Sequence, residues 1–339
     1  MGVYSLDRGV WCRAASMKTV SILLALAGVA AAMVLVAWFD VGAVWAATIS
    51  VGWGGFGVLL LLQAGLFVLL GLAWAAVMPG VPKPLLVWGR MVRDAATTCL
   101  PFSPIGGYVI GARAITLQGV AWPQAAAGTV IDATAEILAQ LLFALFGAAA
   151  LLVLLPVEAG ISVAGPVALG GAVALLLLGV GLWQRRRIGQ VLRALGGRLL
   201  GEWFTAQHGA GGGLERLQAE LTRAYAPRRM AIAAGLHLSG WFATGLVTWF
   251  ALRMLGSHAE LLPVVALEAL LDALMAAAFI VPGAAGVQEA GYVGIGALFG
   301  IPPDLALSVS LLRRGKDLVW GIPILGFWQW REVRRLAAR

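Results

Sequence analysis

Long apolar runs separated by short polar stretches dominate this sequence. A run of about 20 apolar residues forms a helix long enough to cross roughly 30 Å of hydrocarbon. The runs that approach or exceed this length are residues 19–39, 51–78, 125–155, 167–183, 231–252 and 306–330. The first has no convincing cleavage site, so we expect a retained span and not a removed signal peptide. The pattern predicts an all-α polytopic membrane protein with about six full spans.

Two further apolar regions are interrupted by proline and glycine, and each predicts a broken or re-entrant helical hairpin. In the first, residues 85–100 and 108–117 flank the break; in the second, residues 261–281 and 287–299 do so. Proline lacks the amide hydrogen that a helix interior needs, and glycine weakens a helix. The predicted hinge residues are Pro101, Pro104, Gly106, Gly107, Pro282, Gly283 and Gly286.

The two broken regions align at a constant offset of 181 residues, which predicts an internal repeat. The aligned pairs are Pro101 with Pro282, Gly119 with Gly300, Val120 with Ile301 and Glu136 with Asp317. The repeat cores are residues 81–155 and 261–330 of a single membrane domain, 1–339. The number of spans between the two repeats gives them opposite orientations across the membrane, so the repeats are predicted to be inverted. Inverted repeats with interrupted helices indicate a transporter whose site lies near the bilayer midplane.

Composition and charge agree with a membrane protein. Hydrophobic residues make up 61% of the chain and charged residues 12%, whereas soluble domains hold about 25% charged residues. The net charge of +8 reflects lysines and arginines between spans, which favours anionic lipid headgroups at the cytoplasmic face as partners and not nucleic acid. Nineteen lie in stretches assigned to the cytoplasm and only Arg253 in one assigned outside, so the positive-inside rule places both termini in the cytoplasm of a bacterial inner membrane.

The longest basic stretch, residues 184–229, predicts a cytoplasmic loop. Apolar residues at three- and four-residue spacing in its first part indicate a helix lying in the headgroup plane, and a solvated basic loop is an equal alternative. The two cysteines match no metal-ligand spacing. The three histidines, His208, His237 and His258, have no acid or thiol at ligand spacing. We therefore expect no metal and no cofactor.

Ionisable residues inside apolar segments carry the main functional prediction, because each costs about 2.5–3.5 kcal/mol to insert. We expect them to neutralise one another around a polar cavity in which arginines bind a lipid phosphate and the acids orient the arginines. The alternative is an ion-paired lock between helices with no ligand, and Glu268 also has an interfacial location as an alternative. The predicted binding or transport residues are Arg113, Asp132, Glu136, Glu268, Asp272, Glu289, Arg313, Arg314 and Asp317.

Three stretches near the C-terminus carry a family resemblance. Val-Pro-Gly-Ala-Ala-Gly-Val-Gln-Glu at 281–289, Gly-Ile-Pro-Pro at 300–303 and Leu-Leu-Arg-Arg-Gly-Lys-Asp at 311–317 resemble the flippase-like membrane domain of lysylphosphatidylglycerol synthases. The weaker first copy, residues 100–107, lacks the Gly-Glu pair. Residues 104–108 and 130–136 are similar to stand-alone members associated with hopanoid biosynthesis. The resemblance implies movement of a lipid between leaflets or onward from the inner membrane, with hopanoid as the suggested cargo.

The preferred hypothesis is therefore a lipid flippase or transporter with a membrane lipid as cargo and no catalytic residues. An intramembrane lipid-modifying enzyme, such as a lipid-phosphate phosphatase, is the first alternative; Ser103 and Arg113 lie near the first break, but no histidine or acid lies close to them in sequence. A scaffold that docks lipid-synthesis enzymes through the basic loop is the second. Cargo, direction, energy source and oligomeric state stay open.

Overall fold

The structure, a computed structural model, describes residues 41–99, 103–154, 213–278 and 286–337. The described residues are helical apart from a few turn residues, with no strand among them, which confirms the all-helical prediction. The helices are α1 (Val41–Val77), α2 (Lys83–Cys99), α3 (Ser103–Thr116), α4 (Trp122–Leu154), α5 (Gly213–Ala224), α6 (Pro227–Met254), α7 (Leu261–Ala277), α8 (Val287–Leu298) and α9 (Pro303–Ala337).

Three of these helices are long and apolar enough to cross a membrane: α1 from Val44, α4 and α6. Large apolar side chains such as Leu61 and Val153 are 72% and 81% exposed on two of them. Exposed apolar surface of this extent suits contact with lipid. The chain is therefore an integral membrane protein. Helix α9 is also long, with 35 residues, but charged residues interrupt its apolar stretch.

Helices α2 and α3 form the first hairpin and pack antiparallel. Gly107 of α3 lies against Thr97 of α2, and Gly111, one turn later, lies against Arg93, one turn earlier. The absence of a side chain at the two glycines lets the helix backbones approach closely. Helix α4 follows after a turn in which Gly119 has a φ of 97°, a conformation that favours glycine.

Helices α7 and α8 form the second hairpin in the same way. Gly291 of α8 packs against Leu271 and Leu274 of α7, and Gly296 lies further back against Leu267. Helix α8 begins after Gly286, where Glu289 accepts a hydrogen bond from the Gly286 backbone N–H at 3.0 Å. Helix α9 then returns along both α8 and α2.

The structure corrects several element boundaries. The predicted connection at residues 40–50 is helical from Val41 onward, and the irregular residue is Gly52, with a φ of 75° inside α1. Helix α6 begins at Pro227, within the stretch predicted as loop, because proline is favourable at a helix start. The basic tail after residue 330 continues α9 as far as Ala337.

The first break is narrower than predicted, since α3 begins at Ser103 and already contains three of the predicted hinge residues, Pro104, Gly106 and Gly107. Gly286, with a φ of 77°, does lie at an interruption, directly before α8. Pro101, Pro282 and Gly283 lie outside the described residues. So do the predicted spans 19–39 and 167–183 and the predicted interfacial helix in the first part of the basic loop.

Helix α6 connects the second hairpin to the long helices beside the first, because it packs against α1, α4 and α7. Gly240 of α6 lies against Leu70 of α1, and Gly245 lies against Val265 of α7. Each hairpin also has its own apolar core, centred on Trp74 and Leu86 for the first and on Leu267 for the second. Both polar clusters described next lie between these packed helices.

Candidate functional site

A buried ion-pair network joins the first hairpin to α4. Arg93 donates through one terminal nitrogen to Asp132 at 2.9 Å and through the other to Glu136. Arg90 donates to Glu136 at 2.9 Å and to Asp94 at 2.8 Å. The arginines are three residues apart on α2, and their partners on α4 are four apart, so each pair lies on one helix face. Every member except Asp94 is less than 8% exposed.

Tyr108 and His237 complete this first cluster from two other helices. The Tyr108 hydroxyl of α3 donates to Glu136 at 3.0 Å, and its ring centroid lies 3.8 Å from the Arg93 guanidinium carbon, which is cation–π geometry. His237 Nε2 of α6 lies 2.9 Å from Asp132 Oδ1. Four helices therefore converge on this cluster, although only α2 and α3 form the hairpin.

A second cluster of the same residue types lies at the other hairpin. Arg313 of α9 donates to Glu268 of α7 at 2.6 Å and to the Tyr292 hydroxyl of α8 at 3.0 Å. The Tyr292 hydroxyl donates in turn to Glu268. Thr248 of α6 donates to the same carboxylate at 2.6 Å. Glu268 is only 2% exposed, and these donors satisfy its charge.

The two clusters have matching composition with the charges exchanged between helices. Each contains arginine, glutamate and a tyrosine from the short second helix of its hairpin. In the first cluster the arginines lie on the hairpin's first helix, and the acids they contact across helices, Asp132 and Glu136, lie on the long helix that follows. In the second cluster the glutamate lies on the hairpin's first helix and the arginine on the following long helix.

A side-chain hydrogen bond links the two clusters. Gln140 of α4 donates to Asp272 of α7 at 2.8 Å. Gln140 lies one helical turn after Glu136, and Asp272 lies one turn after Glu268, so each stands next to a cluster on the same helix face. Polar side chains therefore continue from the first hairpin to the second through the interior of the bundle.

Three further charged residues of α9, Arg314, Lys316 and Asp317, are paired close to the second cluster. Arg314 lies 2.6 Å from Glu289 of α8. Lys316 lies 3.3 Å from Asp317 and donates to the Gln63 side chain of α1. Arg314 and Lys316 are 6% and 7% exposed, so their charges are neutralised inside the protein.

The structure brings together the predicted binding residues with one exception. Asp132 and Glu136 belong to the first cluster, and Glu268 and Arg313 belong to the second. Asp272 forms the link between the clusters through Gln140. The other three predicted residues are paired beside the second cluster, and these are Glu289, Arg314 and Asp317. Arg113 does not join them. Its side chain is 44% exposed at the end of α3 and pairs with Glu332 at 2.7 Å.

Arg90 and Arg93 lie in the stretch 81–93, which the sequence analysis assigned to the cytoplasm without giving either arginine a partner, and the structure shows both side chains to be buried. They are buried because α4 supplies carboxylates opposite them. One sequence signal could have predicted these ion pairs. The two arginines are three residues apart and Asp132 and Glu136 are four apart, so each pair lies on one helix face. His237, which was expected to have no acid nearby, lies against Asp132 because α6 packs on α4.

Asp132, Glu136 and His237 are close enough to one another to suit a metal ion. Their ligand atoms are already engaged, however. Asp132 contacts His237 and Arg93, and both oxygens of Glu136 accept from guanidinium groups. A cation would have to displace the arginines, which already supply positive charge, so the geometry favours an ion-pair network over a metal centre.

Divalent metal is accordingly expected not to stabilise the protein. Adding Zn²⁺ or a chelator to the purified chain should leave the thermal unfolding temperature unchanged, because a ligand raises it only by binding the folded state. A Zn²⁺-dependent increase that disappears in His237→Gln would contradict this interpretation.

The site consists of compensated charges that two helical hairpins and α6 place inside a membrane protein. A family model described as the lysylphosphatidylglycerol synthase TM region matches residues 22–326. The chain belongs to this family, which confirms the resemblance to the membrane domain of lysylphosphatidylglycerol synthases and indicates a membrane protein involved in lipid handling or synthesis. Neither a curated protein nor a solved structure matches the chain.

Proposed function

We propose that this protein is a lipid flippase or lipid transporter of the bacterial inner membrane and performs no chemistry on its cargo. The observation that carries the proposal is the pair of buried Arg–Tyr–Glu clusters, one at each hairpin. Ionisable groups inside a membrane bundle are expensive to keep and commonly mark the path of a polar substrate. A hopanoid or phospholipid headgroup would pass through this region while its apolar part stays in lipid.

An inverted repeat is part of this proposal, and the helix boundaries support it. An offset of 181 residues carries the first residue of α4, Trp122, onto the first residue of α9, Pro303. It also carries Asp132 onto Arg313, so corresponding positions of the two long helices hold opposite charges in the two clusters. In transporters with inverted repeats, each repeat opens the site to one side of the membrane in turn. The two halves of this protein, with opposite charges at corresponding positions, suit such alternating access.

Re-entrant hairpins are also part of the proposal. The end of α2, at Cys99, lies against Gly321 near the middle of α9. The start of α8 lies beside the same helix, through the pair of Glu289 with Arg314. A hairpin whose two helices end beside the interior of a long spanning helix reaches only part of the way across the bilayer. Irregular backbone is tolerated at that depth where protein or a polar cavity surrounds it.

In the proposed mechanism, the headgroup replaces part of an existing ion pair. Arg313 is the best placed to bind a phosphate or hydroxyl group, since its side chain is 24% exposed whereas that of its partner Glu268 is 2% exposed. A planar guanidinium suits bidentate contact with phosphate. Glu268 and Tyr292 would then hold the arginine in position, so the charge needs no solvent to stabilise it.

We further propose six full spans with both termini in the cytoplasm. The lysines and arginines between spans support this orientation. Even without the buried Arg90 and Arg93, the basic residues on the proposed cytoplasmic side far outnumber those on the other side, where only Arg253 lies. The contacts of Arg113 with Glu332 and of Arg335 with the Leu117 carbonyl fit this arrangement. They place the end of the first hairpin and the end of α9 at one face of the bundle.

Lipid movement in proteoliposomes tests the proposal. We expect the wild-type protein to move labelled phospholipid or hopanoid between leaflets and Arg313→Ala to lower the rate at least about tenfold, as expected for a lost charge-assisted contact. Arg313→Lys should keep part of the rate. Arg113→Ala is the matched control, because it removes an exposed arginine outside both clusters, and it should transport at the wild-type rate.

Folding is checked for each variant by gel filtration and circular dichroism before the rates are compared. Equal rates for Arg313→Ala and wild type, with both proteins folded, would contradict the proposed site. A folded wild-type protein that moves none of the labelled lipids would contradict transport, and conversion of a lipid would point to an enzyme.

A further inference from the structure

A basic cavity lies at one end of the bundle, away from the buried clusters. The turn between α3 and α4 and the last turns of α9 enclose about 660 Å³. Arg334 is 21 residues beyond Arg313 on α9, which corresponds to about 30 Å along a helix. The residues that line the cavity are Leu117, Gln118, Gly119, Trp330, Arg331, Arg334 and Arg335.

The cavity has a strong positive charge. Three of its lining residues are arginines, and none of the others is acidic. The neighbouring residue Glu332 pairs with Arg113 at 2.7 Å. Among the residues that the structure describes, no carboxylate pairs with the three arginines of the cavity, so their positive charge favours an anion.

Contacts across the cavity hold two of its arginines in place. Arg335 donates to the backbone carbonyl of Leu117. Arg331 lies against Gln118, whose side-chain amide oxygen accepts from both terminal nitrogens of the guanidinium at 2.7 and 2.8 Å. These bonds fix the turn before α4 to the end of α9, so the cavity walls are organised before a ligand arrives.

The third arginine is placed to bind a ligand. The Arg334 guanidinium carbon lies 4.3 Å from the Trp330 ring centroid, and stacking of this kind leaves the guanidinium hydrogens available at its edge. Gly119 on the opposite wall has open space where a Cβ would lie. A tetrahedral phosphate can therefore approach the three arginines from the open side.

The surroundings of the cavity identify the source of the phosphate. Trp330 and Val333 are 50% and 51% exposed beside the arginines, and tryptophan with arginine at the end of an apolar helix is typical of the headgroup level of a bilayer. Basic pockets at this level bind anionic lipid headgroups. We propose that this cavity binds the phosphate of an anionic phospholipid whose chains lie along the exposed end of α9. The site is independent of the proposed transport pathway.

Native mass spectrometry of the full-length protein in detergent tests the site, with phosphatidylglycerol and phosphatidylcholine as probes. We expect wild type to retain phosphatidylglycerol in preference to phosphatidylcholine. The variant with Arg331→Gln, Arg334→Gln and Arg335→Gln should bind phosphatidylglycerol about tenfold or more weakly, because it loses the charged donors. Arg334→Gln alone, which leaves the contacts across the cavity intact, should show a smaller loss in the same direction.

The matched control replaces three other arginines, Arg216, Arg228 and Arg229 on α5 and α6, with glutamine. It should retain phosphatidylglycerol as wild type does. Equal weakening in the control and cavity variants would overturn the proposal, because the attraction would then be general charge. Displacement of the lipid by glycerol 3-phosphate at comparable concentration would also overturn it, since the ligand would then be a soluble phosphate. None of these measurements depends on lipid movement between leaflets.

Discussion

Arg93→Met is expected to lower the free energy of unfolding by about 3–5 kcal/mol, the usual result of removing one partner from a buried ion pair. Arg93 donates to both Asp132 and Glu136, so its loss leaves Asp132 without a guanidinium partner and leaves Glu136 with Arg90 alone. Methionine has a similar length but supplies no donor. Equilibrium unfolding in mixed micelles measures the difference between variant and wild type.

Two further variants give this experiment its control. Arg93→Lys keeps the positive charge but loses the second terminal nitrogen, so we expect an intermediate loss of stability. Arg113→Met removes an arginine whose ion pair with Glu332 is exposed on the arginine side, and exposed pairs contribute only about 0–1 kcal/mol. Similar losses for Arg93→Met and Arg113→Met would show that the first cluster is not a buried network.

Gly107→Ala is expected to destabilise the protein by about 1–3 kcal/mol, as overpacking does. A Cβ at residue 107 would overlap the Thr97 side-chain oxygen and lie 2.9 Å from the Arg93 carbonyl oxygen. The first hairpin would have to separate, and the arginines of α2 would move relative to α4. Equilibrium unfolding and gel filtration of the purified variant measure the effect.

The neighbouring glycine supplies a matched control. A Cβ at Gly106 meets nothing within 4 Å, and alanine is favoured over glycine inside a helix by roughly 0.5–1 kcal/mol. Gly106→Ala is therefore expected to be neutral or stabilising. Equal destabilisation by the two substitutions would contradict the packing explanation. A pronounced loss of lipid transport in Gly106→Ala without loss of stability would support the hinge role predicted from the sequence.

The sequence predicted the class of protein and most of the polar interior. The length and apolar content of the runs predict membrane-spanning helices. In lipid, only a helix or a closed β-barrel satisfies all the backbone hydrogen bonds. The four-residue spacing of Asp132 and Glu136, and of Glu268 and Asp272, identified helix faces directed toward other polar groups. These inferences need only local geometry, and the family match over residues 22–326 agrees with them.

Local geometry could not identify the partners of these charges. Arg90 and Arg93 occur in a stretch that begins with Lys83 and resembles a basic flank, and only the packing of α2 against α4 shows that they are buried. His237 is about a hundred residues from Asp132 in sequence, and α6 brings it there. Tyr108 ends the stretch 104–108, but no sequence pattern indicated that Tyr108 or Tyr292 would contact a buried glutamate.

Hydrophobicity, proline and residue spacing act over a few helical turns, so the amino-acid sequence was enough to predict an α-helical membrane protein with interrupted hairpins and charges inside its apolar regions. The packed fold was needed to show which charges neutralise one another, that Arg113 lies outside both clusters, and that Gly107 but not Gly106 lies at a close helix contact. Ion pairing and close packing depend on which helix faces meet, and residues distant in the chain decide that.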